Sequence, residues 1–119
     1  MDITKVIGEM KKAPGFSENV GMILVHNGVV RGWSRQDHKT VTHIDVAVDE
    51  HRVDALRREY SQKPGIYKIL IECRAGRLHP GDDLLFIVVA GDLRENVKPV
   101  LSELLDRIKA EAVTKTELH

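Results

Sequence analysis

The chain has 119 residues, 42% of them hydrophobic, with 18 lysines and arginines balanced by 18 aspartates and glutamates. Balanced charge gives no overall positive field for a nucleic-acid backbone, and this hydrophobic content suits a globular domain rather than a disordered chain. The length corresponds to one domain, residues 1–119.

The N-terminal "MDITKVIGEMKK" lacks the continuous apolar core of a secretory signal, and the apolar run Leu84 to Ala90 is too short to cross a bilayer. The expectation is a cytoplasmic protein with neither nucleic acid nor membrane as a partner. Cys73 is the single cysteine, so no intrachain disulfide can form. Its setting in "YKILIECR" reads as a buried, unreactive thiol.

In chain order, Ile3, Val6, Ile7 and Met10 recur at helical spacing and predict a short amphipathic helix over 3–12. Pro14 and Gly15 end it. "VGMILVHNGVVRG" is rich in β-branched residues and predicts a strand bent at Asn27-Gly28. The polar segment "GWSRQDHK" follows, then "TVTHIDVAV", an alternating strand with one buried face. Asp49 caps a predicted helix running to about Tyr60, with Val53, Leu56 and Tyr60 along its inner stripe. "IYKILIECR" and "LLFIVVAG" are predicted strands separated by the turn "RLHPGDD". A last helix carries Val97, Val100, Leu101, Leu104, Leu105 and Ile108 at i, i+3, i+4 spacing, with Pro99 in its first turn, where a missing N–H costs little. The order α-β-β-α-β-β-α predicts an α+β fold, helices packed on a largely antiparallel sheet.

The six histidines (His26, His38, His43, His51, His79, His119) are scattered without metal-ligand spacing, and no glycine-rich nucleotide loop occurs, so neither a metal nor a cofactor is expected. Asp82-Asp83 reads as a solvated turn. Trp33 lies in the polar segment beside Arg31, Arg35, His38 and Lys39, where it can pack the loop or stack on a flat ligand. Arg31, Arg74 and Arg94 each follow an apolar strand, and Lys115 follows the last helix. Converging strand ends would make these a cationic pocket for phosphate or carboxylate; diverging ends would leave solvated termini and surface ion pairs.

From about residue 20 to 119 the chain resembles the large, catalytic subunit of molybdopterin synthase. "GMILVHNGVVRG" is similar to that family's first core strand, which ends in Gly-x-Val-Arg. "CRAGRLHPGDDLLFIVV" is similar to its His-Arg-x-Gly-x-Leu-x-x-Gly-Glu segment, "GDLRENVKPVLSELLDRIK" to a His-Arg start running through a helix to Leu-Lys, and "AVTKTE" to Pro-Ile-Trp-Lys-Lys-Glu. The resemblance implies an α/β hammerhead-like fold, a homodimer, and a ubiquitin-like sulfur-carrier small subunit as partner. It further implies sulfur transfer from the carrier's C-terminal thiocarboxylate to cyclic pyranopterin monophosphate, a step of molybdenum cofactor biosynthesis. By the same resemblance Lys115 is the catalytic lysine, and Arg31 and Arg94 bind substrate anions. Trp33, Arg35 and Lys39 are candidate loop contacts.

Several positions depart from the family pattern. Leu93 and Cys73 stand where the family has histidine before arginine, and Ala47 where it tends to have glutamate. Ala112, Thr114 and Thr116 replace the tail's proline, tryptophan and second lysine, and the loop from Lys109 to Lys115 is one residue shorter. Two functions follow: a sulfurtransferase subunit, or a non-catalytic binding or regulatory relative on the same fold. A third, carrier-free reading has another phosphorylated heterocycle stacked on Trp33.

Overall fold

The computed structural model describes all of residues 1–119. Its elements are α1 (Ile3–Lys11), α2 (Phe16–Asn19), β1 (Met22–Val29), β2 (His43–Val48), α3 (Glu50–Ser61), β3 (Ile66–Cys73), β4 (Gly76–Leu78), β5 (Asp83–Gly91), α4 (Arg94–Glu111) and β6 (Val113–Leu118). The α+β expectation holds, with three elements added to the predicted order: α2, β4 and β6.

Two antiparallel three-stranded sheets form, ordered β1-β5-β3 and β4-β2-β6. β5 is central in the first and apolar from Leu84 to Ala90 because both its faces are covered. Leu85, Ile87 and Val89 point into a core with Val53, Leu56 and Tyr60 of α3 and Val97, Val100, Leu104 and Ile108 of α4. Val88 and Ala90 point the other way, against Met10 of α1 and Phe16 of α2. Fully burying a Leu or Ile contributes about 1.5–3 kcal/mol, so the α3–α4 face dominates the stability. The second sheet has its own small core of Val30, Val41, Ile44, Val46 and Leu78.

Local signals set most boundaries. Asp2 and Asp49 accept hydrogen bonds from the backbone N–H of Lys5 and Arg52, capping α1 and α3. Gly65 adopts φ +79, and a Cβ there would collide with Asp92 and Asn96. That contact matters because Asp92 accepts from the Leu93 N–H at 2.6 Å and from the Asn96 amide at 2.8 Å, ordering the start of α4.

Three local expectations are corrected. Pro99 lies in the second turn of α4, not the first, since the helix already begins at Arg94. The Glu95 carbonyl thereby loses its helical donor. The predicted turn "RLHPGDD" is shorter: Arg77 and Leu78 belong to β4, paired with β2, and Asp83 opens β5. No loop separates Lys109 from Lys115, because α4 runs to Glu111 and β6 begins at Val113. The bend expected at Asn27-Gly28 is a bulge one step on, a register shift between Gly28 and Val29. Gly28 pairs with Leu85 and Val29 with Asp83, leaving Leu84 unmatched. Such a bulge re-aims a side chain, and Leu84 lines the site.

Candidate functional site

Where the C-terminal end of β1 meets α4 and β6, two adjoining cavities open, of about 110 and 140 Å³. They share Val29, Arg31, Leu84 and Lys115. The first is further walled by His26, Cys73 and Lys109, the second by Ile44 and Glu117. Three cations from three separate segments therefore border one largely apolar recess: Arg31 after β1, Lys109 in the last turn of α4, and Lys115 on β6.

The chain's own topology builds this convergence. β6 pairs with β2 along its length, with Lys115 opposite Val46, so Lys115 is held in a ladder rather than on a free tail. The Arg31 segment is tied to the same strand. Ser34 Oγ donates to Glu117 at 3.3 Å, and the Thr42 N–H donates to the Leu118 carbonyl at 2.9 Å. The backbone segments that bear Arg31 and Lys115 are thus held beside each other.

The Lys115 ammonium is held below the ordinary lysine range, first by partial removal from water and then by the nearby charges of Lys109, Arg31 and Arg35; Glu117 opposes them. More of its amine is neutral near physiological pH than for a solvated lysine. His26 is likewise lowered, by burial and then by Lys109. Its Nε2 is buried without a hydrogen-bond partner. It lies over Gly28, where a Cβ would come within 3.1 Å of that nitrogen. Burial, with Glu50 and Glu72 adding to it, pushes the Cys73 thiol up to about 11. The thiol is half-buried and borders the recess, instead of lying deep in the core as its apolar run suggested.

Of the residues singled out from sequence, Arg31 and Lys115 are brought together, and Arg35 is near enough for its charge to act on Lys115. Trp33 stands beside Arg31, whose guanidinium lies 4.8 Å from the ring centroid. His38 also stacks on Trp33 at 5.1 Å, so the indole is already engaged. Lys39 sits in the same loop, where its carbonyl accepts from the Ser34 N–H at 2.9 Å.

Arg94 is not brought to this recess. β1 and β5 run antiparallel, with Met22 opposite Gly91 and Val29 opposite Asp83, so Arg94 and Arg31 emerge at opposite ends. A strand of this length spans about 23 Å, too far for one small anion to bridge both arginines of a single chain. Arg94 is exposed and pairs with its neighbour Glu95 at 3.3 Å. Arg74 donates to the Asp83 carbonyl at 3.4 Å and does not line the recess.

Sequence reasoning passed over Lys109 and His26. The signals were present: Lys109 continues the Leu101–Leu105 row at i+4 spacing, and His26 shares a strand face with Leu24 and Gly28.

The family model for the MoaE protein matches residues 1–111. The chain belongs to the MoaE protein family. The matched span contains Arg31, Arg94 and Lys109 and stops before Lys115. A protein of Haloferax volcanii described as a probable molybdopterin synthase is 26% identical over 107 residues, 87% of this chain. The chain spans only 41% of that relative's length. The crystal structure of molybdopterin synthase from Staphylococcus aureus superposes with a TM-score of 0.72 at 22% identity, covering 83% of this chain and 74% of that one. A chain from the complex of subunits 1 and 2 of the molybdopterin-converting factor of Helicobacter pylori gives a TM-score of 0.72 at 15% identity, covering 99% and 79%. These likenesses carry the fold. No helix of the MoaE-family chain is long and apolar enough to cross a membrane.

Proposed function

We propose that this chain is a molybdopterin-synthase-like subunit of molybdenum cofactor biosynthesis, acting in the cytoplasm. It would transfer sulfur from a thiocarboxylated, ubiquitin-like small subunit to cyclic pyranopterin monophosphate. The observation that carries the reading is the convergence of Arg31, Lys109 and Lys115 on one apolar recess. A phosphate-bearing heterocycle needs fixed cations for its anion and apolar walls for its rings. Arg31 holds the phosphate. Lys115, its proton affinity reduced, exchanges a proton at the reacting centre. Trp33, Arg35 and Lys39 form the loop beside Arg31. Arg94 belongs to a different surface of the chain, and a role in anion binding there requires the homodimer that the family resemblance implies. The complex of two subunits from Helicobacter pylori supports a small-subunit partner.

A second reading is favoured by position 93. Leu93 is 59% exposed beside Arg94 and offers neither a donor nor a proton carrier where the family resemblance places histidine. A chain that keeps the fold and binds a carrier without turnover would tolerate that side chain. A single-turnover assay separates the two: this protein, a thiocarboxylated carrier and cyclic pyranopterin monophosphate, with molybdopterin as readout. Product formation supports the sulfurtransferase. Carrier binding without product supports the binding relative, and the absence of both removes the carrier-dependent account.

A further inference from the structure

We infer that Trp33 is a positioning residue for Arg31, holding its guanidinium at the recess through the indole face. The inference rests on the reading that Arg31 binds the ligand's anion, and it assigns a role to a side chain that neither core packing nor the cationic triad uses. Trp33 is one of three large apolar side chains left substantially exposed, at 45%. Exposure alone says little about a single apolar side chain, so its contacts decide what it does. What it does contact is specific. The Arg31 guanidinium lies over its ring at 4.8 Å, and the His38 imidazole stacks on it at 5.1 Å with an interplanar angle of 20°.

The loop is built to present that ring. Trp33 bridges to Thr40 across a small hairpin. The Ser34 N–H donates to the Lys39 carbonyl, and the His38 N–H donates to the Ser34 carbonyl, both at 2.9 Å. His38 itself sits at φ 56, the one non-glycine residue of the chain in the left-handed region. Side chains seldom adopt that conformation, and here it accompanies an imidazole stacked on the indole. The buried Ser34 then ties the hairpin to Glu117, and so to the strand that bears Lys115. Arg31 has no carboxylate partner to fix it. A flexible guanidinium loses side-chain entropy on binding an anion, whereas one already held against an aromatic face loses less.

The test uses two readouts on the full chain. In ligand-free protein, the Arg31 Nε–H resonance should be displaced by the indole ring current. It should keep that displacement in Trp33→Phe only in part and lose it in Trp33→Ala. In titrations with inorganic phosphate, Trp33→Ala should weaken binding roughly two- to fivefold, the range of an exposed cation–π contact, with Trp33→Phe between it and the wild type. In an Arg31→Ala background, Trp33→Ala should cost nothing further. An unchanged Arg31 resonance in Trp33→Ala, or an equal loss with and without Arg31, overturns the positioning role. Phosphate binding that is the same in wild type and Arg31→Ala would instead remove the anion site, while the resonance still decides whether Trp33 orders Arg31.

Discussion

Lys109, in the last turn of α4, and Lys115, on β6, line one recess, and Lys109 is the largest of the charges that lower the proton affinity of Lys115. Helix end and strand follow each other without a loop, so this juxtaposition is built into the chain's course.

Replacing Lys109 should therefore change Lys115 more than it changes the fold. In Lys109→Met the Lys115 amine should titrate closer to the ordinary lysine value of 10.5, with burial and the two arginines still acting on it. An NMR titration of the Lys115 side chain checks this. An unaltered titration would mean that Lys109 does not act on Lys115.

The lowered pKa of His26 gives the stability a pH dependence. Its folded pKa lies below the ordinary 6.5, so the unfolded chain binds the proton more readily. The stability contributed by its neutral form is complete above that value and is lost as pH falls from 6.5 toward the folded pKa. His26→Phe should flatten the melting temperature between pH 5 and 7 relative to wild type, since no proton is then bound at that position. An identical slope in the two proteins would place the half-buried imidazole outside the transition.

The Cys73 thiol should be slow to react despite bordering the recess. With its pKa near 11 against an ordinary 9.0, the thiolate fraction at neutral pH is lower by roughly a hundredfold, and alkylation by iodoacetamide should be slowed accordingly. Rates comparable to those of a small free thiol would contradict this environment.

Glu111 joins the two long helices by accepting from Arg107 of α4 and Arg52 of α3, while Arg107 also donates to Glu59 of α3 at 2.6 Å. The Arg107 hydrogen bond, then that of Arg52, holds the Glu111 carboxyl down at about 2. Its stabilising contribution is present above the ordinary value of 4.5 and disappears as pH falls through about 2. Urea denaturation should find Glu111→Gln less stable than wild type at pH 7, with the gap closing below pH 4. A gap that stays constant with pH would mean that the carboxylate charge is not its source.

How much of this was legible in the sequence follows from which forces fix each element. The stripe Val53–Leu56–Tyr60 and the row through Ile108 identify α3 and α4, because burial imposes a helical period that composition displays directly. β4 and β6 were missed for the opposite reason. Gly76–Leu78 is short and flanked by turn residues, and Val113–Leu118 is exposed at its four central positions, so neither shows a buried alternation. Arg31 and Lys115 were legible as cations at element ends. Their meeting, and the separation of Arg94 from both, depend on the antiparallel pairing of β1 with β5 and of β2 with β6, and a one-dimensional pattern does not encode which strand ends coincide. His26 was hidden because one polar residue in an apolar strand has no partner in sequence to announce it.

The proposed function assigns sulfur transfer to the recess bounded by Arg31, Lys109 and Lys115. The most direct measurement is the molybdopterin formed in a single turnover by Lys115→Ala and by wild type, with thiocarboxylated carrier and cyclic pyranopterin monophosphate in excess and folding verified by circular dichroism. The expected result is product from wild type and none above background from the folded mutant. Equal product from the two proteins would contradict the account and take Lys115 out of the chemistry.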